Sequence, residues 1–330
     1  MILSVSRRTD IPAFYSDWFF NRIHEGYVDV RNPMNAHQVS RIKITPDVVD
    51  CIVFWTKNPY NMLMRLDELK EYNYYFQFTI NPYDKQIEKN VPFKTTILET
   101  FSKLSQQIGS NRIIWRYDPI LITDKITVAY HVKYYEELAK RLESLTTKCV
   151  ISFVDLYKKT ITNTKIINLQ EPSQSEMRYL AEKFVNIARK YGIQVLSCAE
   201  SINLSEEGVE HGCCIDPNLI EDICGYHIDV KKDKNQREEC GCVESIDIGA
   251  YNTCCHACAY CYANFNNEKV RSQSSKHHKN SSLLIGDLSE DDVIKIRSLE
   301  SATAPRLMSL GFIDFPHVAD FATLVVNARL

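Results

Sequence analysis

The run Ile2-Leu3-Ser4-Val5-Ser6-Arg7-Arg8-Thr9-Asp10 decides the fold. A short, largely apolar stretch without strict polar alternation passes directly into charged residues. A strand buried on both faces of a parallel sheet reads this way. Similar β-rich runs follow at Tyr27–Val30, Cys51–Trp55, Tyr74–Ile80, Arg112–Tyr117, Cys149–Val154 and Gln194–Cys198. Each stops at polar or chargeable residues: Arg31-Asn32-Pro33, Trp55-Thr56-Lys57, Asn81-Pro82, Arg116-Tyr117-Asp118, Asp155 and Glu200.

Helical periodicity separates several of these runs, over Ala13–Glu25, Asn61–Glu71, Phe93–Ile108, Val128–Leu145 and Ser175–Tyr191. Alternating strands and helices predict an α/β fold with a parallel sheet. Seven such units fit a TIM-like parallel (β/α) barrel, in which the strand ends converge on one face that carries the active site. The texture changes near residue 200. The chain therefore divides into a barrel over 1–200, a cysteine-rich cap over 201–286, whose metal content is argued below, and a C-terminal helix and tail over 287–330. Ser289–Leu299 reads as a short helix, and Phe321–Val326 as an apolar run that docks on the barrel.

The chain has 330 residues, 45% hydrophobic and 25% charged, which excludes a disordered or fibrous protein. A net charge of −3 argues against a broadly basic nucleic-acid binder. The apolar runs are far shorter than the roughly 20 residues of a membrane helix. The N-terminal residues lack the order of a signal peptide, so a cytoplasmic protein without membrane partners is expected.

Twelve cysteines are the anomaly, and ten of them lie between Cys198 and Cys261. In a reducing compartment such crowding points to metal more than to disulfides. The strongest local signal is Tyr251-Asn252-Thr253-Cys254-Cys255-His256-Ala257-Cys258-Ala259-Tyr260-Cys261-Tyr262-Ala263-Asn264. Cys254, Cys258 and Cys261 have the spacing C-x3-C-x2-C. Three thiolates can hold three irons of a 4Fe–4S cluster and leave the fourth open. A zinc site is the alternative, with Cys258 and Cys261 as a knuckle and His256 as a further ligand.

This loop, with an aromatic residue just before its last cysteine, resembles the signature of radical S-adenosylmethionine enzymes, and its wider string resembles the subgroup of spore photoproduct lyase. The resemblance implies that S-adenosylmethionine chelates the open iron and is reductively cleaved to a 5′-deoxyadenosyl radical, which abstracts hydrogen from a substrate. It assigns Cys254, Cys258 and Cys261 as ligands and places Tyr260 near the adenine. Unlike the usual order, the loop follows the seventh strand or a later one instead of the first, and no Gly-Gly-Glu run is present. Across nearly the whole chain, Ser4–Phe14, Arg31–Pro33, Asp50–Pro59, Arg116–Pro119, Gln236–Cys242, Asp247–Ala263 and Ser282–Gly286 resemble the bacterial family called domain of unknown function 1848.

Cys198, Cys214, Cys240 and Cys242 are candidates for a second, four-cysteine cluster, with small buried thiols as the alternative for Cys198 and Cys214. Cys213, Cys224 and Cys255 are read as bystanders. Arg7, Arg8 and Asp10 are candidates for binding a zwitterionic cofactor beside Tyr260. Lys57, Arg116, Asp155 and Glu200 are the candidate catalytic residues, with Lys57 a proton carrier if desolvated. Trp55, Trp115 and Tyr117 are candidates for stacking on a base. The expected partners are a small-molecule or nucleic-acid-derived substrate and an external electron donor such as flavodoxin or ferredoxin. The competing expectation is a non-catalytic barrel protein holding zinc or a cluster, acting as a redox sensor or electron carrier.

Overall fold

The computed structural model describes residues 1–154 and 167–303. Its strands are β1 Ile2–Val5, β2 Tyr27–Arg31, β3 Gln38–Lys43, β4 Cys51–Thr56, β5 Tyr74–Thr79, β6 Ile113–Ile120, β7 Lys148–Phe153, β8 Gln194–Cys198, β9 Glu210–Gly212, β10 Ile246–Asp247 and β11 Val293–Ile296. Eight of them form one sheet in the order β10-β1-β4-β5-β6-β7-β8-β9, and every neighbouring pair is parallel. Among the described residues no pairing joins β9 to β10. The protein is thus a mixed α/β fold built on a large parallel sheet.

Successive strand residues fall into two separate apolar clusters. Leu3, Ile52, Phe54, Phe76, Trp115 and Ile151 pack on one face, against α1 Ile11–Phe14, α2 Ser16–Glu25, α3 Lys94–Ile108, α4 Val128–Arg141 and α5 Gln174–Lys190. On this side Trp115 stacks on Tyr135 at 4.9 Å, and Tyr135 on Phe184 at 3.9 Å. Ile2, Val53, Tyr75, Ile114, Val150 and Leu196 face the other way. They pack on Ile215, Ile228 and Val243, and on Leu219 and Ile220 of α6 Pro217–Cys224. Burial on both faces explains why these strands read as continuous apolar runs. The cysteine-rich stretch supplies both the filling of the second face and the edge strand β10.

Four expectations change. Tyr27–Val30 belongs to a separate sheet in the order β11-β3-β2, antiparallel to Gln38–Lys43. Arg31 is accordingly away from the strand-end face, and its Nη2 donates to Asp292 at 2.8 Å. Tyr60–Leu69 is a 3₁₀ helix instead of an α-helix. Within Ser289–Leu299 the structure forms the strand Val293–Ile296, parallel to β3. Three of its four residues are β-branched, which favours an extended chain. Phe321–Val326 lies outside the described residues.

Candidate functional site

The ends of β1, β4, β6, β7 and β8 and the cysteine loop open on one cavity of about 860 Å³. Arg7, Arg8, Asp10, Lys57, Arg116 and Glu200 line it, as do all seven candidate ligand cysteines and Tyr260. Asp155 lies outside the described residues. Trp55 borders the cavity, but Trp115 and Tyr117 do not. Both are fully buried against the helices, so their aromatic surface belongs to the core.

The loop is tied to the sheet by its backbone. Tyr15 donates its hydroxyl to the Thr253 carbonyl at 2.6 Å. Asn90 Nδ2 donates to the Cys255 carbonyl at 2.8 Å, and Asn264 Nδ2 to the Cys254 carbonyl at 2.8 Å. The Ala259 amide donates to Ile87 at 2.8 Å. Ala257 sits at φ 55, a left-handed turn between Cys254 and Cys258 that few non-glycine residues adopt. These bonds fix the loop that carries three thiols at the cavity.

Asp10 anchors the loop from below. Its Oδ1 accepts from the Ala13 amide at 2.9 Å, capping α1. Its Oδ2 accepts from the Lys57 amide at 2.7 Å and from His256 Nε2 at 2.8 Å. His256 is thereby engaged in an ion-pair geometry, and its Nδ1 is buried without a hydrogen-bond partner.

Lys57 meets Glu88, a residue the sequence reading did not single out. Glu88 is 2% exposed and accepts from Lys57 at 2.8 Å, from Lys94 at 2.5 Å and from the Tyr260 hydroxyl at 2.5 Å. Burial pushes its carboxyl up, but Lys57 and Lys94 outweigh burial and hold it at about 2. Burial would lower the Lys57 pKa, yet Glu88 and Cys258 raise it above its ordinary value. Lys57 is therefore a fixed cation beside the loop, and this setting does not favour its release of a proton. Burial raises Cys258 to about 12 against the opposing pull of Lys57.

The other four cysteines come together from three segments. Cys198 ends β8, Cys214 precedes α6, and Cys240-Gly241-Cys242 forms a short turn. Cys198 and Cys214 sulfurs are 3.0 Å apart, and Cys240 and Cys242 line the same cavity. Arg116 Nη1 donates to Cys214 Sγ at 2.7 Å, and its Nε to Asp118 at 3.0 Å. Arg7 stands over the Trp55 ring at 5.4 Å and pairs with Asp233 at 3.7 Å. Its Nη2 is buried and lacks a hydrogen-bond partner. Arg8 stands over Tyr251 at 5.2 Å, and Glu200 accepts from the Phe153 amide at 2.8 Å. Among the described residues no three His, Cys, Asp or Glu side chains converge as a site for one metal ion.

A second residue that the sequence reading gave no role at the site, although it opens the segment Asp247–Ala263, is Asp247. It accepts from the hydroxyls of Ser4 at 2.8 Å and Ser6 at 2.6 Å, and from the Arg7 amide at 2.8 Å. It thus fixes the start of the β1 loop that carries Arg7 and Arg8.

Comparison with known proteins adds little beyond the sequence pattern. The model of a family described as "Domain of unknown function (DUF1848)" matches residues 2–263. No curated protein matches the chain. A solved structure described as an alpha-L-fucosidase candidate, from Bacteroides thetaiotaomicron, is similar at 14% identity with a TM-score of 0.23. That similarity covers 47% of this chain and 66% of that one. No helix among the described residues is long and apolar enough to cross a membrane.

Proposed function

The chain belongs to the family described as domain of unknown function 1848, and from that premise we propose that it is an iron–sulfur enzyme of the radical S-adenosylmethionine type. Cys254, Cys258 and Cys261 would hold a 4Fe–4S cluster with one iron open. When bound, that cluster would supply the electron for reductive cleavage of S-adenosylmethionine, and with it radical hydrogen abstraction from a small-molecule or nucleic-acid-derived substrate. An external donor such as flavodoxin or ferredoxin would furnish the electron.

One observation carries the reading: the three loop thiols and the charged strand ends share a single cavity of about 860 Å³. That volume lies in the usual range for small-molecule and cofactor sites, about 300–1,000 Å³. The donor set fits the group, since three soft thiolates on one loop suit iron–sulfur ligation. The eight parallel strands act here as a barrel-type scaffold that delivers these groups to one end.

The chain's own residues then have distinct tasks. Lys57 offsets the negative charge of the loop thiolates. Glu88 orients Lys57 and the Tyr260 ring, which would border the adenine. Arg7, with one unpartnered guanidinium nitrogen, and Arg8 suit a carboxylate or phosphate group. Glu200 and Asp118 are carboxylates that line the same cavity and suit an ammonium. Asp10 positions the loop, its oxygens being engaged by three donors already.

Anaerobic reconstitution with iron and sulfide, followed by dithionite and S-adenosylmethionine, tests the proposal. The wild type should yield 5′-deoxyadenosine, and Cys258→Ala should not. An iron-loaded protein that leaves S-adenosylmethionine intact would support an electron carrier or sensor instead. A protein holding zinc alone would support a metal-stabilised binding protein.

A further inference from the structure

We infer that β11, Val293–Ile296, is the contact through which two copies of this chain pair, antiparallel and edge to edge, into a dimer. The inference goes beyond the proposed reaction and does not rest on it. β11 forms one side of the small sheet β11-β3-β2. The opposite side is covered: the Asp29 amide of β2 donates to the Ser282 carbonyl at 2.9 Å, and Asp29 bridges to Leu283. Among the described residues nothing pairs with the outer edge of β11. All four of its residues are exposed, with Val293 at 68%, Ile294 at 40% and Ile296 at 75%. An edge strand that shows three apolar β-branched residues to solvent is a template for another strand.

The ladder to β3 identifies the free backbone groups. The amides of Val293 and Arg297 donate to the carbonyls of His37 at 2.7 Å and Arg41 at 3.0 Å. The register between these two bonds is continuous, Val293 opposite Gln38 through Ile296 opposite Arg41. Alternation along the strand therefore turns the amides and carbonyls of Ile294 and Ile296 outward. A second strand can bond only to these residues, so its own outward residues must stand opposite them.

Charge selects both the occupant and the register. Asp291 and Arg297 flank the strand, and both are exposed. Asp292 is already engaged, since it pairs with Arg31. Antiparallel pairing of two copies about Ile294 sets each Asp291 opposite Arg297 of the second copy, and each Val293 opposite Lys295. Opposite charges across such a pair stabilise it, and like charges destabilise it. The two Ile294 residues then exchange both of their backbone hydrogen bonds, and each Ile296 amide reaches the Asp292 carbonyl of the second copy. A shift that sets Ile294 opposite Ile296 would bring Lys295 against Lys295 and is disfavoured. The strand thus carries its own electrostatic complement, acid at one end and base at the other, which a second copy running the opposite way satisfies.

Sedimentation velocity of the full chain under reducing conditions, from micromolar to near-millimolar concentration, tests the inference. The wild type should pass from monomer to dimer across that range. A strong dimer is not expected, because a four-residue edge buries less than the roughly 1,200–2,000 Å² of a stable interface. Asp291→Arg should weaken the dimer about tenfold, as should Arg297→Asp, because two symmetry-related pairs turn from attraction to repulsion. The double variant Asp291→Arg/Arg297→Asp should restore wild-type association. Ile294→Pro removes an outward amide and none that bonds β3, so it should leave a folded monomer. A full chain that stays monomeric throughout overturns the inference, whatever else meets the edge. A dimer indifferent to both single charge variants overturns it too, as does one that the double variant fails to restore. If Ile294→Pro disturbs the fold, the charge swap alone decides.

Discussion

Glu88 accepts from Lys57 Nζ at 2.8 Å across 31 positions of sequence, with both side chains nearly enclosed and Lys94 on the second carboxylate oxygen. One carboxylate thus balances two ammonium groups beside the cysteine loop. Glu88→Gln leaves both cations without a counter-charge. Removing one member of a buried pair costs about 3–5 kcal/mol. Lys57→Met should cost less, because Glu88 keeps Lys94. Denaturant midpoints of the two variants check the order, and equal losses would contradict it.

Gly249 is required by its closeness to Ser6. A Cβ at 249 would stand 2.0 Å from Ser6 Oγ and 2.6 Å from Ser6 Cβ. Ser6 cannot move freely, since its hydroxyl donates to Asp247 and accepts from the Arg8 amide at 2.9 Å. Gly249→Ala should therefore destabilise by about 1–3 kcal/mol, as overpacking does. Ser6→Gly in the same chain should recover part of that loss. A thermal melt of the single and double variants measures both effects, and a neutral Gly249→Ala would show that the β1 loop yields easily.

His131 sets a pH dependence far from the cysteines. It is fully buried, with Nδ1 2.8 Å from the Tyr117 hydroxyl and Nε2 2.7 Å from the Leu121 carbonyl. Burial lowers its pKa from 6.5 to about 4. The unfolded chain then binds the proton first, so stability is fully present above about 6.5 and declines as pH falls toward 4. The loss across that window is about 3 kcal/mol. His131→Gln should flatten this slope in unfolding free energies measured at pH 4.5 to 7, whatever it costs at neutral pH. An unchanged slope would assign the acid sensitivity elsewhere.

Much of this architecture is legible in the chain because buried parallel strands leave unbroken apolar runs. Val5 and Phe54 report the helix-packed face, Ile2 and Val53 the other, and both are apolar. Local pattern does not specify partners, however. Tyr27–Arg31 reads like its neighbours but pairs antiparallel with Gln38–Lys43. The grouping of Cys198, Cys214, Cys240 and Cys242 at one cavity is foreseeable from chemistry, whereas the bond from Arg116 to Cys214 is visible only in space. Glu88 had no signal: next to Lys89 in a polar loop it reads as a solvated charge, and only tertiary burial singles it out. Asp247 stands in a segment the pattern singles out, but its hold on Ser4, Ser6 and the Arg7 amide is not legible, since a two-residue strand has no periodicity to detect.

Asp10, read from the sequence as a cofactor-binding residue, has both carboxylate oxygens engaged within the protein. Its two oxygens face three donors: the Ala13 and Lys57 amides and His256 Nε2. Asp10→Asn keeps the shape but turns an NH₂ toward at least one of them. A buried donor left without its acceptor costs about 1–3 kcal/mol. The variant should melt earlier and retain less iron after reconstitution, because His256 sits between Cys254 and Cys258 in the loop. In the fraction that does load iron, KM for S-adenosylmethionine should remain that of the wild type. Unchanged stability together with a tenfold higher KM would show instead that the Asp10 carboxylate grips the cofactor directly.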